Sequence, residues 1–571
     1  MKGPFRRRGI LLLIIFGAAL IAFTHGAGAD GVETVPLIVG SVHDGQGQPV
    51  EGAQVSLTAA QMADPLARAV TQADGRYTLI VPEAVPSALA IYIERAHFAA
   101  SQIPLDAVAV QDLQAGQAVV LPDVILRRQI DLAFWIATLS FIAMLVLIAT
   151  GVLHNTLAAL LGVAVVFAVS YFGPLFRSDL YILNFDGALR YVDWNVIFLI
   201  MGMMIVIAVV EKTGLFQWLA FQAYRLSGGH VWLLVPILMV VTGVASAFLD
   251  NVTTMLLMTP ITVQIALALG MNPLALLMPE VMASNVAGIS TLVGTPTNIL
   301  IGSFASISFN DFLLNLTPGV LLAIIGLALY SEFIYRHDLK ANSETSPLLL
   351  EKLAEQARIT EPDHLKKAVW VGVGMLLLFL FGEEVHLLPA VTALLGATAL
   401  LIWIKPDIEE MIEAVDWTTL VFFMALFMVV GAIQEVGLIS LIADVIARLV
   451  GTDLVLAMLV VIWSSAMLST VVANIPFTAA MLPVIGSLTA IVPGAQSLVL
   501  FYCLSVGSAM GGNGSLIGAS ANMVTAGIAD RAGYPITYAY FLKKGFPALL
   551  ITVGLATVWL LFRFLVLDGV V

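Results

Sequence analysis

The chain has 571 residues, 60% of them hydrophobic and 11% charged, with a mean hydropathy of +1.00, a composition that no water-soluble fold sustains without exposing large apolar surfaces. Its net charge of −13 comes without a basic stripe or interleaved aromatics, which argues against a nucleic-acid partner. The single cysteine, Cys503, lies in an apolar run, so intrachain disulfides and cysteine-based metal sites are excluded.

In chain order, Lys2, Arg6, Arg7 and Arg8 precede an apolar run from Gly9 to Phe23 and the small residues Ala27-Gly28-Ala29. This is the pattern of a signal peptide over residues 1–29, or of an anchor helix if uncleaved, and either exports the domain C-terminal to it. Residues 30–128 have the composition of a soluble domain. Strand-like runs such as Ala53-Gln54-Val55-Ser56-Leu57 and Tyr77-Thr78-Leu79-Ile80-Val81 alternate between glycine, proline and aspartate turns, which predicts a small antiparallel all-β sandwich. The spacing Gly40-x-Val42-x-Asp44-x-x-Gly47-x-Pro49-x-x-Gly52-Ala53-x-Val55-x-Leu57, then Thr71-x-x-Asp74-Gly75-x-Tyr77-x-Leu79, resembles the carboxypeptidase regulatory-like domain. That family is a non-catalytic β-sandwich, and with no nucleophile beside a base and no metal-spaced histidines, no enzyme activity is expected here.

After Arg127-Arg128 the runs reach the length a helix needs to cross a bilayer of about 30 Å. Spans are predicted at Leu132 to Thr150, Leu153 to Phe172, Trp194 to Val210, Leu316 to Ile334, Val369 to Phe381, Leu387 to Ile404, Thr418 to Ile433 and Phe546 to Phe564. Two longer stretches, Val231 to Ser303 and Leu454 to Ile528, do not divide into plain helices. With the β-domain outside and the first stretch re-entering from the inner side, the charged segment 336–367 is cytoplasmic. The inner loops then hold about twice as many Lys and Arg as the outer ones, in keeping with the positive-inside rule.

Val192-Asp193-Trp194 recurs as Val415-Asp416-Trp417, an offset of 223, and Gly214-Leu215, Asn251 and Pro260 recur in that register as Gly437-Leu438, Asn474 and Pro483. Further on, after one inserted residue, the offset is 224: Gly288, Thr291, Leu292, Gly294 and Asn298 match Gly512, Ser515, Leu516, Gly518 and Asn522. The chain therefore reads as two inverted repeats, residues 129–335 with two leading helices and residues 368–571, each with one re-entrant hairpin and one unwound helix. No Gly-Lys-Ser/Thr phosphate loop occurs, so ATP is not the energy source.

The first hairpin tip, Asp250-Asn251-Val252-Thr253-Thr254, sets polar groups between apolar arms, and a helix break at this depth must be buried in protein or line an aqueous cavity. Its partner, Ser284-Asn285-Val286-Ala287-Gly288 through Thr291, Gly294 and Thr295 to Asn298, is too rich in Gly, Pro and hydroxyls to stay helical. The second repeat supplies Asn474, Thr478, Gly512, Asn513, Ser515, Gly518 and Asn522. Side-chain oxygens and freed carbonyls there suit a cation, Na+ being the one expected, while helix N-termini suit an anion. Each glycine and hydroxyl also has a plain reading in helix packing. No Lys or Arg occurs between Arg225 and Arg336 or between Arg448 and Arg531, so no guanidinium is available to a bound anion. Asp250 and Glu280 are the acids of the first core, candidates for proton coupling, and the second core has none, Ala473 standing where Asp250 does.

At these residues the chain resembles the ion transporter superfamily, which includes arsenite permeases, NhaD-type sodium/proton antiporters, citrate and dicarboxylate carriers and the melanosomal P protein. The resemblance runs from about Leu132 to the C-terminus, and Phe248 to Thr254 and Gly512 to Asn522 are most similar to the arsenite-permease and P-protein branch. It implies a homodimeric, multi-pass carrier of the bacterial inner membrane that moves a small inorganic ion or small carboxylate, without an organic cofactor. In the dicarboxylate branch both tips carry Ser-Asn-Thr, whereas here they are Asp250-Asn251-Val252 and Ala473-Asn474-Ile475. Proton-linked or cation-exchange transport is therefore expected, with a sodium-coupled carboxylate symporter, an anion channel on the same fold, or a membrane-anchored sensor carrying the β-domain as alternatives.

Overall fold

The structure, a computed structural model, describes residues 36–569 apart from residues 46, 60–63, 83–85, 87, 178, 339–350, 352–353 and 356. The leader read at residues 1–29 and nearly half of the charged linker therefore lie outside the described residues. The chain divides into two compact units, Met1–Gln129 and Ile130–Val571.

In the first unit, alternate residues of each strand turn inward, as the period-two pattern requires. β1 (Leu37–Asp44) pairs antiparallel with β4 (Arg76–Ile80), and β2 (Gln54–Ala59) lies between β3 (Ala67–Val70) and β5 (Leu89–Glu94), which also pairs β6 (Ser101–Pro104). Ile38, Val42, Val55, Leu57, Leu79, Ile91 and Ile93 are wholly buried in one core. The two sheets match the expected sandwich, with one correction. β7 (Val119–Val120) and β8 (Val124–Leu126) both run parallel to β1, because after β6 the chain passes through a short helix, α1 (Ala107–Gln114), and returns in the same sense. Between β7 and β8 stands Pro122, which has no N–H to give the ladder.

The second unit is helical. Its first half contains α2 (Leu132–Thr150), α3 (Asn155–Phe172), α4 (Phe185–Arg190), α5 (Trp194–Glu211), α6 (Leu215–Leu226), α7 (Val231–Phe248), α8 (Asn251–Ala268), α9 (Leu274–Ala287), α10 (Pro296–Ala305) and α11 (Phe309–Ile334). The second half repeats them as α12 (Pro362–Phe381), α13 (Pro389–Ile404), α14 (Ile408–Glu413), α15 (Trp417–Glu435), α16 (Leu438–Val450), α17 (Leu454–Ser469), α18 (Asn474–Ile491), α19 (Val499–Gly511), α20 (Ser520–Arg531) and α21 (Tyr538–Leu561). Ten helices among the described residues are long and apolar enough to span a membrane. Three of the spans begin earlier than the hydropathy indicates, at Phe309, Pro362 and Tyr538, because their first turns carry polar or charged side chains (Asn310 and Asp311; Asp363, Lys366 and Lys367; Lys543 and Lys544) that hydropathy alone assigns to loops.

The repeated landmarks have structural causes. Asp193 and Asp416 cap α5 and α15, their carboxylates accepting from backbone N–H groups at the helix start. Val192 and Val415 are buried beneath them, while Trp194 and Trp417 are about half exposed, the disposition of interfacial anchors. Gly214 and Gly437 hold φ of +76° and +93° in the turns into the interfacial helices α6 and α16, a backbone region that favours glycine.

The halves are interlocked by exchange. α13 packs on α5 and α3 on α15; α8 packs on α20 and α18 on α10; α11 and α21 pack on each other. Thr156 of α3 donates to the Thr418 carbonyl of α15 at 2.9 Å, and Trp559 of α21 to the Asn315 carbonyl of α11 at 2.7 Å. With the α7–α8 hairpin re-entrant, as the sequence predicts, α5, the α9–α10 pair, α11, α12 and α13 make an odd number of crossings between α5 and α15, which inverts the second repeat relative to the first.

Candidate functional site

In each half a hairpin tip meets the break between two collinear half-helices. α7 ends at Leu249, Asp250 is extended, and α8 begins at Asn251; likewise Ala473 is extended before α18 begins at Asn474. α9 and α19 each tighten into one 3₁₀ turn, Gly288–Ser290 and Gly512–Gly514, then unwind before α10 and α20 start.

The same bonds recur in both halves. Ser246 donates to the Ser284 carbonyl at 3.0 Å, as Ser469 does to Ser508 at 2.6 Å. The Thr291 hydroxyl donates to the Ala247 carbonyl, and the Ser515 hydroxyl to that of Thr470. Asn298 Nδ2 holds the carbonyls of Ile289 and Thr291 at 2.9 and 2.8 Å, and Asn522 Nδ2 those of Gly512 and Ser515 at 2.8 and 2.9 Å. These amides replace the helix bonds that the break removes, which backbone at this depth requires. Close approach fixes the glycines: a Cβ on Gly294 would stand 2.4 Å from the Gly288 carbonyl oxygen and 2.7 Å from that of Ser246, and one on Gly518 2.8 Å from the Gly512 oxygen and 3.0 Å from the Ser469 oxygen.

The halves are joined at the centre by asparagines. Asn251 Nδ2 donates to Asn285 Oδ1 at 2.7 Å; Asn285 Nδ2 donates to Asn513 Oδ1 at 2.9 Å and Asn522 Oδ1 at 3.0 Å; Asn513 Nδ2 reaches the Met282 carbonyl at 3.2 Å. Asn298 Oδ1 accepts from Ser505 of the second half at 2.6 Å, and Asn474 N–H donates to the Gly518 carbonyl at 3.3 Å. Thr295 caps α10 through its hydroxyl, and Thr254 and Thr478 bond back to the Asp250 and Asn474 carbonyls at 2.9 and 2.7 Å.

Two sequence-predicted residues stand differently. The Asp250 carboxylate caps α8, accepting from the N–H groups of Val252 and Thr253 at 2.9 and 3.0 Å and from the Thr253 hydroxyl. Glu280 is wholly buried away from the tips, its Oε1 accepting from Thr242 at 2.7 Å. Sequence reasoning named Ser284 within its motif but missed Ser246, Ser469, Ser508 and Ser505, although the first three stand with Ser284 in the 223 and 224 registers and a search for register-matched serines finds them.

The electrostatics differ between the halves. α8 is capped by a carboxylate and α10 by a hydroxyl, whereas Ala473 and Ala519 leave α18 and α20 without a side-chain cap. The second half therefore presents bare helix N-termini, which favour an anion, and the first half a carboxylate, which favours a cation. A cavity of about 350 Å³ between the ends of α5, α10, α12 and α13 reaches Leu292 of the first unwound segment, with Asn195, Glu383 and His386 among its lining residues.

The family model described as citrate transporter (CitMHS) matches residues 145–507. The uncharacterized transporter Rv2684 of Mycobacterium tuberculosis is 35% identical over 440 residues, covering 76% of this chain and 99% of its own. The P protein of Homo sapiens is 31% identical over 525 residues, covering 78% of this chain and 62% of its own. Among solved structures, MtrF of Neisseria gonorrhoeae, described as illuminating a class of antimetabolite efflux pumps, aligns over 76% of this chain and 95% of its own with a TM-score of 0.51 at 11% identity, a likeness of fold alone.

Proposed function

The chain belongs to the citrate transporter family, a family of membrane transporters, and from that premise we propose that it moves a small ion or small carboxylate across the bacterial inner membrane by alternating access, coupled to Na+ or H+. The observation that carries this reading is the meeting of the first tip and the broken helices of both halves in one asparagine network, with bare helix N-termini on one side and Asp250 on the other. An anionic cargo fits against the starts of α18 and α20, and a co-bound cation near Asp250, Asn251 and the freed carbonyls.

The inverted repeats supply the motion. In this structure Thr297 to Gly302 of α10 are buried, whereas Met523, Gly527 and Asp530 of α20 are exposed. Exchanging which of these faces is covered opens the site to the opposite side. The reading includes a homodimer, with the β-domain on the outer side.

The test is a flux screen in proteoliposomes of the full chain, offering Na+, Li+, chloride, arsenite and dicarboxylates with a pH dye inside. Saturable flux that follows an imposed Na+ or pH gradient is the expected result, with Asp250→Asn weakening its dependence on Na+. Unitary currents would overturn the carrier in favour of a channel.

A further inference from the structure

Glu280, Thr242 and Thr262 bring three polar side chains from α9, α7 and α8 together inside the apolar core of the first hairpin, and all three are wholly buried. Thr242 donates to Oε1 of Glu280 at 2.7 Å, while Glu280 Oε2 has no hydrogen-bond partner. Beside it, Thr262 Oγ1 acts on the carboxylate but stands short of hydrogen-bond geometry and has no partner either. These are two orphaned oxygens in one buried cluster, and a carboxylate in such a place does not persist ionised without a counter-ion.

Among the described helices packed on α9, no cationic side chain stands near enough in the chain to supply one. The helices packed on α9 are α7, α8, α11, α19, α20 and α21. Of these, α7, α8 and α19 contain no charged residue, Asp250 standing only at the start of α8; α11 has Asp311 and Glu332, α20 has Asp530 and Arg531, and α21 has Lys543 and Lys544. The cluster is also distinct from the tip: Thr242 precedes Asp250 by eight residues and Thr262 follows it by twelve, about 12 and 18 Å along their helices. In the second half the equivalent positions are Ser465, Ile485 and Leu504, which contain no acid.

We propose that Glu280 is a proton-binding site of this carrier, one per chain and separate from the asparagine network where the cargo sits. A single proton on Oε2, donated to Thr262 Oγ1, satisfies both orphaned oxygens while Thr242 holds Oε1. Because the site lies within α7, α8 and α9, the proton travels with the first hairpin. Asp250 then serves the tip, as the cap of α8 and the neighbour of a co-bound cation, and not the proton. The proposal rests on the transport reading and deepens it by placing the coupling proton.

Infrared difference spectroscopy of the purified full chain tests it. A carboxylic-acid carbonyl band is expected near neutral pH, disappearing at alkaline pH and absent in Glu280→Gln. Thr262→Val, which keeps the acid and removes its acceptor, is expected to shift that band to higher frequency, and it serves if Glu280→Gln does not fold. A band that persists unchanged in Glu280→Gln, no acid band at all, or a band that ignores Thr262→Val overturns the proposal. In vesicles, Glu280→Gln is expected to reduce gradient-driven proton movement at least about tenfold. Solute flux without the Glu280 band would refute the proton assignment alone, whereas the band without any solute flux would refute the transport reading.

Discussion

Asp250 and Ala473 occupy equivalent positions, each the last extended residue before a helix that opens with asparagine, yet they leave those helix ends in different states. Asp250 puts a carboxylate on the first N–H groups of α8 and cancels part of its positive end. Ala473 leaves α18 bare, and Ala519 does the same for α20. The scaffold around the tips keeps its symmetry, since the serine and asparagine bonds that hold each break recur almost atom for atom. Geometry is thus shared between the repeats and charge is not, which lets one frame hold unlike ions on its two sides.

The largest expected effect tests the shared frame. Asn298→Ala and Asn522→Ala each leave two buried carbonyls without a donor, about 1–3 kcal/mol apiece. Both variants should lose transport and melt well below the parent chain by thermal unfolding in detergent, and to similar extents; a large difference between them would break the equivalence of the two breaks. Next come the glycines. Gly294→Ala and Gly518→Ala should each cost about 1–3 kcal/mol by the same measurement, the first more, because its added carbon meets closer carbonyls.

The charge asymmetry is tested by moving it. Ala473→Asp places a carboxylate on the bare end of α18 and should weaken binding of an anionic cargo about tenfold in equilibrium titration, with little loss of stability. Unchanged affinity would show that the cargo does not use that helix end. Smallest is Asp250→Ala, which removes a cap and should lower stability by about 1 kcal/mol in chemical denaturation. A change near zero there would mean that the carboxylate serves an ion and not the helix.

Much of this site was legible in the chain. The two repeats, their tips and their broken helices follow from Asn, Gly and Pro placed at fixed offsets in otherwise apolar runs, because only special backbone needs such residues in a membrane. The Val-Asp-Trp landmarks were visible too, although their cause, a cap above a buried valine and beside an interfacial tryptophan, emerged from the folded helices. Other features were hidden. Hydropathy cannot find the starts of α11, α12 and α21, whose first turns are polar, nor the parallel return of β7 and β8, which depends on a crossover helix too short to signal itself.

Sequence by itself determined that the chain needs a bilayer, that it is two inverted repeats behind a β-domain, and which polar residues lie in each core. Those conclusions rest on local costs, of charge and of unpaired backbone in hydrocarbon, that any arrangement of the helices must meet. Tertiary structure alone decided which partners those residues take. It made Asp250 a cap, bonded Glu280 to Thr242 in a buried cluster apart from the tip, and linked Asn251 through Asn285 to Asn513 and Asn522 across the repeats. The reason is physical: a bond between residues more than two hundred positions apart depends on how helices from different repeats pack, and no spacing along one helix encodes it.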